Sequence, residues 1–235
     1  MKRRGLLSVA IGGMAAIAMS GIGLGAFTPI VNGGFEDGNY TGNPALFQTL
    51  PAGSTSLSGW TIQSGSIDWV QGHWQPHGGI RSIDLNGGVP GAISQTISTT
   101  IGNTYVVQFW LSGNPDVAGT KTLSVQATGA AASAYSFPLA NTNANMMWQD
   151  EAYSFFATSS STTITFTSTT LSPALVAWGP AIDDVSVTET EATGAMCKKD
   201  GWMTMLDQAG NSFKNQGDCV SFFATGGKNA GSIEP

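Results

Sequence analysis

The clearest pattern along the chain is an alternation of apolar and polar positions with a period of two, repeated in short runs. Tyr105, Val107, Phe109 and Leu111 alternate with Val106, Gln108 and Trp110, which predicts a strand with two distinct faces. The same period reads through Trp60 to Ile67, Arg81 to Leu85, Ile93 to Ile97, Leu123 to Val125, Tyr135 to Leu139, Ala152 to Phe156, Thr162 to Thr167 and Ile182 to Val187. A first strand is expected from Thr28 to Phe35, broken at Gly33-Gly34, and a long surface loop from Glu36 to Ser58. Asn86-Gly87-Gly88 and Ile101-Gly102-Asn103 are turn signals between strands. About nine to eleven short strands at regular spacing, without a long helical period, predict an all-β, two-sheet sandwich.

Composition agrees. There are 31 glycines and only 10 % charged residues in 235, which favours strands and turns, and 41 % hydrophobic residues suffice for a core. The first 26 residues form a different element. Lys2-Arg3-Arg4 precedes an apolar run from Leu6 to Leu24, ending in small residues at Gly25 and Ala26, the layout of an export signal. A retained membrane anchor is the alternative reading, and Arg3-Arg4 leaves the general secretory and twin-arginine routes both open. Removing the segment would take the net charge from −6 to about −9, and no basic run remains. That excludes nucleic acid and anionic membranes as expected partners. No transmembrane segment is expected in the mature chain.

The pattern changes after Val187. The domains are therefore read as signal 1–26, sandwich 27–188, a small polar linker 189–196 and a compact segment 197–235. Cys197 and Cys219, the two cysteines of the chain, are 22 residues apart in that last segment. In an exported protein a disulfide is their expected use, and a bridge over such a loop contributes about 3 kcal/mol.

Several short stretches carry more specific information. In order, they are VNGGFE, the Gly59-Trp60 pair, GSIDWV, SIDLNG, ISQTI, GNTYVVQFWLSGN and GPAIDDVSV. Together they resemble the choice-of-anchor C family of bacterial exported proteins, related to a plant cell-wall family of domains of unknown function. Both look like galactose-binding-type jelly rolls, and the framework is similar, more loosely, to carbohydrate-binding modules of bacterial polysaccharide hydrolases. The resemblance implies a structural calcium ion between the first and last strands. Glu36 and Asp183 would supply side-chain oxygens, with Asp184 as the other candidate, which suits a hard cation wanting six to eight oxygens.

For ligand binding, seven tryptophans stand out. Trp69 and Trp74 flank the polar stretch from Gln71 to Gly79, which also holds His73 and His77. Exposed aromatic faces beside hydrogen-bonding side chains suit a sugar platform. Trp110 and Gln108 share one strand face and would extend it. Core packing is the competing role for each tryptophan. Asp68, Asp84 and the Asp150-Glu151 pair are the carboxylates available for glycoside hydrolysis, but no nucleophile elbow or phosphate loop is present. The expectation is thus a noncatalytic exported protein binding polysaccharide or glycoconjugate. A structural or protein-interaction role through the C-terminal segment is the alternative, and a hydrolase is third.

Overall fold

The structure is a computed structural model that describes residues 30–138, 140–207 and 210–225. The expected export signal, and the end of the C-terminal segment, lie outside the described residues.

Eleven strands run in chain order: β1 (Phe47–Pro51), β2 (Thr61–Ser64), β3 (Ser66–Val70), β4 (Ser82–Asp84), β5 (Ala92–Ser98), β6 (Thr104–Gly113), β7 (Lys121–Ala127), β8 (Ser133–Phe137), β9 (Gln149–Phe156), β10 (Ser161–Ser168) and β11 (Pro180–Thr190). They form a six-stranded sheet, β1-β3-β4-β11-β6-β9, and a five-stranded sheet, β2-β5-β10-β7-β8. All pairings are antiparallel. This is the expected jelly-roll β-sandwich. Ile67, Trp69, Ile83, Ile182, Leu111 and Phe109 from one sheet, and Ile62, Ile93, Phe166 and Val125 from the other, share one buried core. Such a contiguous apolar layer is the main stabilising term of the fold.

Two strand expectations change. Trp60 to Ile67 does not make one strand, because the chain leaves one sheet and joins the other at Gly65. That glycine has φ +58, and a Cβ there would run into the carbonyl of Pro90. Only glycine allows the switch. The stretch before Glu36 is not a strand either. Asn32 (φ 56) and Phe35 (φ 59) turn the backbone, the Phe35 amide donates to the Asn32 carbonyl, and the Phe35 ring is fully buried. The first strand instead lies inside the expected surface loop, where β1 pairs with β3 in register Thr49↔Asp68.

The polar stretch after Val187 is not a free linker. β11 continues to Thr190, Glu189 accepts from Tyr105 and Asn103, and the Ala192 amide donates to Asn103 Oδ1. The C-terminal segment carries helix α1 (Gln216–Ala224), capped by the Asn215 side chain accepting from the Asp218 amide at 2.9 Å. Cys197 and Cys219 are bridged. The bridge sits in a small core with Met205, Phe213 and Phe222, against which Phe156 of β9 packs. Among the described residues, no helix is long and apolar enough to cross a membrane.

Candidate functional site

Alternation sends Thr49, Asp68, Val70, Ser82, Asp84, Ala181, Asp183, Trp110 and Gln108 to the face of the six-stranded sheet that points away from the core. Much of that face is roofed by the connection between β3 and β4. Trp74, in this connection, packs on Val70, Ala181 and Met146 and donates its indole N–H to Ser82 Oγ at 2.8 Å. Trp148 packs on the same cluster and donates to the Gln75 carbonyl. Asn143 holds the His73 carbonyl at 2.9 Å.

This corrects the expected sugar platform. Trp69 belongs to the core, 0 % exposed, with its N–H donated to the Phe35 carbonyl at 2.8 Å. Trp74 is 4 % exposed and faces the sheet. Neither offers a free ring face, because the apolar outer surface of Val70 and Ala181 needs a cover and Trp74 supplies it. Trp110 does lie on the outer face, but His77 stacks on it at 3.7 Å between ring centroids. Gln108 is exposed on the same strand. His73 and His77 do not converge on a metal. His73 Nε2 pairs with Asp116 at 2.7 Å, and His77 Nδ1 with Asp184 at 2.6 Å.

The carboxylates expected to hold calcium also meet this connection. Glu36 Oε1 accepts the amides of Ile80 (2.8 Å) and Arg81 (2.9 Å), and Arg81 returns a hydrogen bond to the Glu36 carbonyl. Asp183 Oδ2 accepts the amides of His77 (2.8 Å) and Gly78 (3.1 Å), while its Oδ1 accepts that of Asp184 (2.7 Å). Gly78 and Gly79 permit the approach, since a Cβ on either would run into Asp184 or Glu36 oxygens. β11 is bulged between Asp183 and Ser186, with Asp184 at φ 46, and there the Val185 amide donates to the Gly33 carbonyl. The chain's two ends are thus joined through N–H donors. Glu36 and Asp183 turn oxygens to backbone amides, and Asp184 turns one to the His77 ring. Among the described residues, no three His, Cys, Asp or Glu side chains are grouped to hold a metal ion.

Asp84 is fully buried beside this clasp. Its oxygens accept from the Asn86 amide (2.8 Å), the Gly179 amide (3.0 Å) and Asn114 Nδ2 (2.8 Å). Burial nevertheless pushes its carboxyl up to about 8, the N–H donors opposing the shift. Burial likewise pushes Asp183 up to about 8. Asn86 Oδ1 is buried without a hydrogen-bond partner among the described residues.

What stays open on the outer face is a cleft of about 280 Å³ at the β1–β3 edge. Its walls include Phe47, Thr49, Asp68, His73, Trp74, Asn114, Asp116 and Trp178. Phe47 is exposed and Trp178 half-buried. Asp68 is 8 % exposed and accepts the Thr49 hydroxyl at 2.5 Å. Its carboxyl is pushed up by burial, with Thr49 and His73 opposing. Asn114 connects this cleft to the buried cluster: its Oδ1 accepts the Asp116 amide while its Nδ2 serves Asp84. A larger cleft, about 400 Å³, lies between the sandwich and the C-terminal segment, lined by Glu189, Glu191, Phe222 and Phe223 among others. Glu189 there is already engaged by Tyr105 and Asn103.

Of the residues expected at the site, His73 and Trp74 reach the smaller cleft, Trp74 as a buried wall. Phe47, Asp116 and Trp178 were not foreseen. The Ala177-Trp178 step before Gly179-Pro180 was the available signal for one of them, an aromatic residue in a turn leading into a strand.

Fold and site together define a two-sheet β-sandwich protein with an aromatic- and carboxylate-lined cleft on its outer face. The chain belongs to the family described as "Protein of unknown function (DUF642)", whose model matches residues 28–188. It is 33 % identical over 168 residues to Halomucin of Haloquadratum walsbyi, a match covering 68 % of this chain and 2 % of that protein's length. Solved structures similar to it include the CBM22-1 xylan-binding domain from Paenibacillus barcinonensis, at TM-score 0.41 and 14 % identity, covering 65 % of this chain and 97 % of that one. A CBM4 structure matches at TM-score 0.38 and 17 % identity, covering 68 % and 99 %. The strand pairings define the sandwich by themselves.

Proposed function

We propose that this protein binds carbohydrate without catalysis, in the cleft walled by Phe47, Asp68, His73, Asn114, Asp116 and Trp178. One observation carries this reading. Aromatic side chains and hydrogen-bonding side chains, at a sheet edge, share one open cleft on a face that is in large part roofed. Aromatic rings pack against the C–H faces of sugars, and Asp, Asn and His serve their hydroxyls. A cleft of about 280 Å³ is small, which suits one or two sugar rings rather than a long chain laid across the sheet.

The cysteine bridge and the leader-like N-terminus support an exported setting, at the cell surface or in the surrounding matrix, as the choice-of-anchor C resemblance implies. Calcium has no part in this reading. A protein-interaction role through the C-terminal segment is the second reading, favoured by the cleft of about 400 Å³ at its junction with the sandwich.

The test is a glycan array with the mature protein, followed by Trp178→Ala and Phe47→Ala. Glycan binding lost in both variants, with unchanged circular dichroism, is the expected result. Absence of any glycan binding, together with a partner captured only when residues 197–235 are present, would replace this reading with the second. Release of reducing sugar from a bound polysaccharide would make the protein a hydrolase.

A further inference from the structure

We infer that the cleft prefers a glycan bearing a free primary amine, an amino sugar rather than its N-acetylated, neutral or acidic counterpart. This rests on the carbohydrate reading of the same cleft and names its ligand class. Two carboxylates, Asp68 and Asp116, stand in the walls, and no Lys or Arg lines them. A uronate or sulfated sugar would meet like charge, with only His73, already paired with Asp116, to oppose it.

Asp68 is the more telling of the two. It is 8 % exposed and lines the cleft; Oδ1 accepts the Thr49 hydroxyl, and Oδ2 makes no hydrogen bond to a described residue. A carboxylate oxygen that opens to the cleft and has no protein donor is free to take one from a ligand, and a charged donor makes the stronger bond. Asp116 is already joined to His73 and its own backbone amide is held by Asn114, so it is positioned rather than free. An ammonium brings three N–H donors and the opposite charge, whereas a sugar hydroxyl brings one donor and none. The aromatic walls at Trp178 and Phe47 add attraction for a cation over a ring face. Acetylating the amine removes its charge and adds bulk in a small cleft.

The experiment is isothermal titration of the intact mature protein with β-1,4-linked oligomers of glucosamine, N-acetylglucosamine, glucose and glucuronate, matched in length, at pH 6 and low salt. We expect the glucosamine oligomer to bind about tenfold more tightly than the glucose oligomer, the size of one charge-assisted hydrogen bond, and the glucuronate oligomer not at all. Asp68→Asn keeps an acceptor for Thr49 and should abolish the preference, the glucosamine and glucose oligomers then binding with equal affinity. Asp116→Asn, at an exposed position, should reduce the preference and serves if the first variant does not fold. Asp37→Asn, an exposed carboxylate outside the cleft, should leave it unchanged. Equal affinity for the amine and neutral oligomers, or a preference that survives Asp68→Asn, overturns the inference while the carbohydrate reading stands. Binding of none of the four oligomers, alongside an empty glycan array, overturns both.

Discussion

Replacing Glu36 by Ala distinguishes a peptide clasp from an ion-filled one. In the structure Glu36 Oε1 accepts the amides of Ile80 and Arg81 at 2.8 and 2.9 Å, and it lies 44 and 45 residues from them in sequence. Hydrogen bonds to a charged acceptor are worth about 1.5–3 kcal/mol each when shielded. The Glu36 side chain is 34 % exposed, so water recovers a large part of this when the carboxylate is removed. The ion pair to Arg81, at 4.0 Å, adds little. The two bonds together should then contribute about 2 kcal/mol, which for a chain of this size is roughly 4–8 °C in Tm. Glu36→Gln keeps the accepting oxygen but not the charge and should lose about half as much. The measurement is thermal denaturation followed by circular dichroism, for the parent and both variants, with calcium and with a chelator. The expected outcome is a lowered Tm in the variants and no effect of the chelator on any of them. A chelator that lowers the Tm of the parent, but not of Glu36→Ala, would refute the clasp and restore the calcium site.

Three other outcomes follow from the packing. Asp84 is held near 8 when folded against an ordinary value of 3.8, so its contribution is fully present below about pH 4 and is lost as pH rises through about 8. Tm of the parent should fall between pH 4 and 8, and Asp84→Asn should flatten that fall while Asp183 retains its own share; a Tm that rises across this window in the parent would contradict the burial. Trp74→Ala should cost about 3–5 kcal/mol in denaturant titration, since it uncovers Val70 and Ala181 and orphans Ser82; a loss of glycan binding with unaltered stability would mean that Trp74 is a contact residue instead of a roof. Reducing Cys197–Cys219 removes a constraint of about 3 kcal/mol from a segment with a small core of its own. Proteolysis should then cut first within 197–225, leaving the sandwich intact, and equal sensitivity of both parts would show that they unfold as one unit.

The sandwich was legible because its cause is local. Tyr105, Val107, Phe109 and Leu111 are buried, and Gln108 is exposed, as their alternation alone requires. The disulfide was legible for a similar reason, since a chain read as exported, with two cysteines close in sequence, has few other uses for them. β1 was not, because in Phe47–Pro51 only Leu50 is buried and the segment takes its strand form from pairing with β3. The sheet switch at Gly65 was hidden within a continuous run of strand-formers, and what gives it away is the distant carbonyl of Pro90.

The site shows the same division more sharply. Glu36, Asp183 and Asp184 all meet the β3–β4 connection, yet residue type does not say whether a carboxylate faces an ion or an amide. The route of the β3–β4 connection brings the Gly78-Gly79 backbone against them. Trp69 and Trp74 are likewise aromatic residues beside polar ones in the chain, and only the layer they enter distinguishes a platform from a core or a roof. By itself the sequence determined the strand class, the burial of the alternating faces and the cysteine pair, all of which depend on neighbours a few residues apart. Tertiary structure alone decided that the connection covers the sheet, that amides occupy the clasp and that a cleft opens between Phe47, Asp68, Asp116 and Trp178. Those outcomes depend on contacts between segments tens of residues apart, and such contacts are set by how the layers close, which no local pattern records.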